Sequence, residues 1–144
     1  MDGQGRSGGG GPWVPVAWGE LFDKITILTI KARRIPDPAR HANVERELAL
    51  LSEVRRQALV APPAGIAEIE AELAAVNEEL WTIEDEIRRL DRAGEFGPAF
   101  VALARAVYRT NDRRAALKRR IDELTGSPLR EEKWYPDAPA ASGG

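Results

Sequence analysis

The chain is predicted to be an all-α protein, an antiparallel bundle of about four helices built around one long helical hairpin. Three observations carry this. Four stretches repeat apolar residues at alternating spacings of three and four, the period of one helix face. Each stretch is closed by proline or glycine. The third and fourth are long and separated by only a few residues, which makes them antiparallel neighbours.

The ends come first. Residues 1–11 contain six glycines and residues 137–144 are Pro-, Ala- and Gly-rich, compositions expected of disordered tails flanking one domain over 12–136. Pro12-Trp13-Val14-Pro15-Val16-Ala17 reads as an extended segment lying across the bundle. Helix one is expected from Trp18 to Ile35, with Leu21, Ile25, Leu28, Ala32 and Ile35 on one face and Phe22 widening it. The β-branched run Ile25-Thr26-Ile27 lowers helix propensity, so packing must hold this helix. Asp37-Pro38 is an N-cap and first-turn pair for helix two, Pro38 to Leu59. Its expected stripe is Val44, Leu48, Leu51 and Ala58, with Leu50 and Val54 beside it.

Helix three, Ala64 to Arg92, has the strongest pattern: Ile66, Ile69, Leu73, Val76, Leu80, Ile83, Ile87 and Leu90. At about 1.5 Å per residue it spans on the order of 40 Å. Ala93-Gly94-Glu95 turns the chain, with Gly94 as the left-handed residue. Helix four is expected from Phe96 to Leu124. Its row runs Phe96, Phe100, Leu103, Val107, Thr110, Arg114, Leu117, Ile121, Leu124, apolar at seven of nine positions. Residues 66–91 hold nine acids and two bases, and residues 96–125 seven bases and three acids. Ion pairs between the two helices then choose partner and register more than they stabilise, at about 0.2–1 kcal/mol each.

Composition excludes several functions. The chain has no cysteine and one histidine, His41, so no disulfide, thiolate nucleophile or Cys/His metal site is expected, and no cofactor. The net charge of −2 argues against a general nucleic-acid binder. The chain lacks an apolar run of membrane-spanning length and a secretory signal, so a cytoplasmic protein is expected. Glu78-Glu79 with Glu84-Asp85-Glu86 faintly suggests magnesium, as in helical nucleotide pyrophosphohydrolases, but Asp112 alone would answer from the middle of helix four. An arginine-lined dianion site like that of helical chorismate mutases finds no arginine in the central turns of helix one.

The break in the helix-four seam at Thr110 and Arg114 is the one place with chemical content. Polar groups on a core-facing row are unfavourable unless paired or binding something. A turn at Ala93-Gly94 brings together residues whose numbers add to about 187 or 188. Asn77 then faces Asn111 and Trp81 faces Tyr108, with Glu84 near Arg105 or Tyr108. Helix one, carrying an i,i+4 pair Glu20–Lys24, closes over this strip. The candidate ligand-binding residues are Asp23, Lys24, Asn77, Trp81, Glu84, Tyr108, Thr110, Asn111, Asp112, Arg114 and Lys118. Two readings compete. In the first, ranked ahead, Thr110, Asn111, Asp112 and Arg114 form a buried network with Asn77 and Glu84 that sets helix register. In the second, these groups line a pocket for a small anionic or sugar ligand. Arg114, Lys118 and Lys24 hold charge, the two asparagines read hydroxyls or amides, and Trp81 and Tyr108 stack. No nucleophile–base pair is visible, so no catalytic residue is assigned.

Five blocks, in order, carry a resemblance: Gly19–Lys31 (GELFDKITILTIK), Asn43–Leu48 (NVEREL), Val76–Arg88 (VNEELWTIEDEIR), Phe100–Lys118 (FVALARAVYRTNDRRAALK) and Glu131–Tyr135 (EEKWY). Together they resemble a bacterial and phage family of helical domains of unknown function. The resemblance implies a compact helical domain in glycosyltransferase and surface-polysaccharide settings, sometimes beside repeat domains. It assigns no catalytic residue. Where that family carries a small polar residue before the first helix, Ala17-Trp18 stand here. The leading expectation is a non-catalytic binding or scaffolding module with a protein partner or a second copy of itself. The alternative is a small enzyme or sugar-nucleotide binder using the polar strip. Trp134 and Tyr135 are too apolar for a free tail, so the last segment is expected to fold back, Glu131 or Glu132 facing the arginines of helix four.

Overall fold

The computed structural model describes residues 10–129 and 132. It contains α1 (Trp18–Arg34), α2 (Pro38–Ala58), α3 (Ile66–Arg92) and α4 (Pro98–Thr125), with no strand among the described residues. The fold is an all-α bundle. None of its helices is long and apolar enough, over the described residues, to cross a membrane. The tails expected over 1–11 and 137–144 lie outside the described residues, apart from exposed Gly10 and Gly11.

α3 and α4 form the hairpin, and α1 lies in the channel along it. Where the three meet, Phe22, Ile66, Ile69, Leu73, Val76, Leu80, Leu117 and Ile121 make the core, with Trp18 and Leu59 against its edge. Phe22, Leu73 and Ile121 are completely buried, each contributing about 1.5–3 kcal/mol through apolar surface removed from water. α1 runs antiparallel to α4 and in the same sense as α3. Its start meets Asp122 and its end meets Glu78.

The start of α1 has no cap of its own. Ala17 at the N-cap is extended (φ −69°, ψ 151°) and its side chain accepts nothing. α4 supplies the missing acceptors instead. Asp122 Oδ1 accepts from the Gly19 amide at 2.7 Å, and Ser127 Oγ from the Trp18 amide at 3.3 Å. Unpaired amides at a helix start need such partners, and a carboxylate there also meets the positive end of the helix dipole. The approach is so close that a Cβ on Gly19 would lie 2.4 Å from the Lys118 carbonyl oxygen.

Three expectations need correction. First, α2 does not join the core as a full member. Its stripe is buried only at Val44, while Leu48 and Leu51 are half-buried and Ala58 is exposed. The helix packs on α1 alone and reaches α3 through the two-pronged Arg55–Glu70 pair, with the Arg55 guanidinium 4.2 Å from the centre of the Phe22 ring. Its remaining apolar residues are too sparse to cover a second neighbour. Second, the segment before α1 does not bury itself across the bundle, since Trp13, Val14 and Val16 are exposed. Third, the hairpin turn is longer than expected. Gly94 has the positive φ (70°) foreseen for it, but α4 starts only at Pro98, with Gly97 as its N-cap. The pairs Glu79–Arg113 and Glu72–Arg120 both add to 192, so α4 is displaced by about one turn. The ion pairs between acidic α3 and basic α4 do form. Arg119 also pairs with Glu132 at 3.5 Å. Glu131, Trp134 and Tyr135 lie outside the described residues.

Candidate functional site

The displaced register decides what gathers at the break. Asn77 comes level with Arg114 rather than Asn111, and both reach Asp23, which α1 turns inward. Asp23 is 1 % exposed. Its Oδ1 accepts from Asn77 Nδ2 at 3.0 Å and from Arg114 Nε at 2.9 Å, while its Oδ2 accepts from Arg114 Nη2. This is the side-on, two-pronged arginine–carboxylate geometry that gives the strongest charge-assisted bonds. The second Asn77 Nδ2 proton goes to Thr26 Oγ1 at 2.9 Å, and that hydroxyl donates to the Asp23 carbonyl oxygen at 2.8 Å. Arg114 Nη1 donates to Asn111 Oδ1 at 3.4 Å. Thr110, at 3 % exposure, lies beside this group on α4.

One turn further along α4, Lys118 is buried and its Nζ lies 2.9 Å from Glu20 Oε2. With Asp122 on Gly19, three successive turns of α4 (Arg114, Lys118, Asp122) each present a charged group to α1 (Asp23, Glu20 and the Gly19 amide). No buried side-chain nitrogen or oxygen among the described residues lacks a hydrogen-bond partner. A half-satisfied network would be strongly unfavourable, whereas a closed one rigidifies and specifies its packing.

The other candidates are dispersed. Lys24 points away from the strip and pairs with Glu47 of α2 at 3.6 Å, so the expected Glu20–Lys24 pair is replaced by Glu20–Lys118 and Lys24–Glu47. Trp81 is half-buried beneath Arg34, whose guanidinium carbon is 5.8 Å from the ring centre. Glu84 is exposed and pairs with Arg88 at 3.7 Å on its own helix, rather than with Arg105 or Tyr108. Tyr108 is 53 % exposed, and hydrogen bonding to Arg105 and then Arg109 holds its phenol below the usual tyrosine range. Asp112 is on the exposed side of α4. Of the candidates, the structure joins Asp23, Asn77, Arg114 and Asn111 by hydrogen bonds, with Arg114 rather than Asn111 opposite Asn77. Thr26, Gly19, Asp122 and Ser127 were not foreseen, and Glu20 was expected with Lys24. The signal for Asp122 was its i,i+4 spacing from Lys118 on the α1-facing side of the helix.

A groove of about 290 Å³ does exist, on another side of α1. It is lined by Ile25, Thr29, Ile30 and Arg33 from α1 and by Ala67, Ala71 and Ala74 from α3, and it meets the network only at Thr26. Asn111, Arg114 and Glu84 do not line it. No cluster of three or more acidic or histidine side chains able to hold a metal ion occurs among the described residues. Comparison with protein-family models, with curated proteins and with solved structures finds no match.

Proposed function

We propose that this chain is a non-catalytic binding or scaffolding module whose polar centre serves its own architecture. The observation that supports the reading is the Asp23 carboxylate. Both of its oxygens are engaged by Asn77 and Arg114 of the same chain, so a ligand competing for Arg114 must first break a charge-assisted pair in a buried site. The resemblance to bacterial and phage helical domains suggests a setting beside glycan-building enzymes; the protein partner is part of the proposal itself, and the cytoplasmic location rests on the composition of the chain.

A thermal-shift screen against nucleotides, sugar nucleotides and divalent metals tests this, run on the parent chain and on Asn111→Ala and Arg114→Met. The expected result is a lower Tm for Arg114→Met with no ligand present, a smaller drop for Asn111→Ala, and no compound that raises the parent Tm. A nucleotide or sugar nucleotide that stabilises the parent but neither variant, with both variants otherwise as stable as the parent, would establish the small-ligand alternative and overturn the reading.

A further inference from the structure

The chain ahead of α1 is apolar, extended and outside the core. Residues 12–17 read Pro-Trp-Val-Pro-Val-Ala and adopt no helix, strand or turn. Pro12 and Pro15 are exposed, and Trp13, Val14 and Val16 are each more than half exposed. A run of consecutive apolar residues on a surface is unfavourable unless it serves a function. Among the described residues, no backbone hydrogen bond reaches residues 12–16. The arm is nonetheless fixed at its root. Ala17 is buried, and the amides of Trp18 and Gly19 are held by Ser127 and Asp122.

The prolines set the backbone of this arm. Each locks its own φ at about −65° and steers the residue before it, Gly11 or Val14, away from the α region toward an extended one. Ala17, at φ −69° and ψ 151°, has the dihedral angles of a polyproline II helix. That helix repeats about every three residues. The arm therefore carries three ridges: Pro12 with Pro15, Trp13 with Val16, and Val14 with Ala17. The last ends in buried Ala17, while both residues of each of the other two are exposed. We infer that residues 12–16 are the docking strand for a partner domain that reads a polyproline II helix in an aromatic-lined groove. This rests on the reading of the chain as a binding module and states the kind of protein it binds.

The other ways of recognising a peptide fail on this segment. A strand added to the edge of a partner's sheet gains its affinity from a row of main-chain hydrogen bonds. Pro12 and Pro15 have no N–H to give, and because successive residues of a strand point their amides to opposite sides, prolines three apart interrupt both sides. A helix laid in a groove is barred too, since Pro15 removes a helical donor and holds Val14 out of the α region. Recognition by charge has nothing to grip, because residues 12–18 contain no ionisable side chain. What remains is a pair of apolar ridges on a backbone already set. Two prolines separated by two residues are the pattern that aromatic-lined grooves bind, and the preformed helix lowers the entropy lost on docking. The anchored root at Ala17 lowers it further, since one end of the arm is ordered before the partner arrives.

The experiment is an NMR titration of the isotope-labelled full chain with two unlabelled probes that read polyproline II segments, an SH3 domain and a WW domain. The amide shifts of Trp13, Val14 and Val16 and the Trp13 indole are followed, with the variant Pro12→Ala/Pro15→Ala alongside. At least one probe is expected to bind and to move these signals. It should bind the variant about tenfold more weakly, because each lost proline returns conformational freedom to the unbound arm. The variant should keep the parent circular dichroism spectrum, since both substitutions lie outside the four helices. No binding by either probe, binding that the variant leaves intact, or shifts confined to the helices overturns the proposal. So do arm signals that move with the concentration of the chain alone, which would make a second copy the occupant. Any of these leaves the non-catalytic reading intact, because the ligand screen tests that reading separately.

Discussion

Replacing Gly19 by alanine should destabilise the protein, although local propensity says the opposite. Within a helix, alanine is better than glycine by up to about 1 kcal/mol. At Gly19 the new methyl carbon would lie 2.4 Å from the Lys118 carbonyl oxygen, 2.9 Å from the Lys118 carbonyl carbon and 3.0 Å from Asp122 Oδ1. Two of these three are backbone atoms of α4 that cannot swing aside, so α1 must lift. Overpacking of this kind costs about 1–3 kcal/mol. Lifting also stretches the 2.7 Å bond from the Gly19 amide to Asp122, and losing a cap costs about 1 kcal/mol. Set against the propensity gain, the net loss is about 2 kcal/mol. For a domain of this size that lowers Tm by about 5–10 °C. Thermal and urea unfolding followed by circular dichroism measure it directly. Asp122→Ala, which removes the cap without the clash, should cost about 1 kcal/mol. The two changes should be less than additive because they act on one contact. A Gly19→Ala protein as stable as the parent, or more stable, would refute the close crossing of α1 on α4 and the borrowed cap with it.

Two further outcomes follow from the polar network and the outer ion pairs. Asp23→Ala leaves Arg114 and Asn77 facing an empty site. Breaking a buried pair costs about 3–5 kcal/mol, reduced here because the Arg114 side chain remains 28 % exposed. The joint variant Asp23→Leu/Arg114→Met should recover most of the loss in urea unfolding, and a joint variant no better than Asp23→Ala would show that the pair is not the unit. Glu78, between Arg34 and Arg33, is held below the usual glutamate range by its hydrogen bond to Arg34. Its folded pKa being lowered, its contribution is present above the unfolded carboxylate value and disappears as pH falls through the lowered one. NMR titration of the Glu78 carboxyl should find the lowered midpoint, and Arg34→Gln should move it upward. An unchanged midpoint in that variant would remove Arg34 as the cause.

Helix periodicity was legible because it is local. Ile66 to Leu90 repeats at threes and fours however the chain folds, and proline and glycine end each helix by their own backbone geometry. The register of α4 was not legible to better than a turn. It depends on how many residues the turn consumes, and Gly97-Pro98 delayed the helix beyond Phe96. That delay moved Asn77 level with Arg114 and moved Glu84 away from Tyr108. The partners of Lys24 and Glu20 were misjudged for a related reason. An i,i+4 pair on an exposed helix is worth only about 0.2–0.5 kcal/mol, too little to hold them together against Glu47 and Lys118 from neighbouring helices.

By itself, the amino-acid sequence determined four helices, their order, a long hairpin with acidic and basic arms, and a polar interruption at Thr110 and Arg114. These follow from side-chain periodicity and backbone-breaking residues, which act within a few positions along the chain. Only the tertiary structure decided that α1 lies in the hairpin channel, that α2 stands outside the core, and that Asp23 closes the polar centre. It also decided that α4 caps α1 and that no residue from Asp91 to Arg109, around the hairpin turn, is buried. Those outcomes depend on groups far apart in sequence competing for the same carboxylate, amide or apolar face, and the competition is settled only when the helices pack.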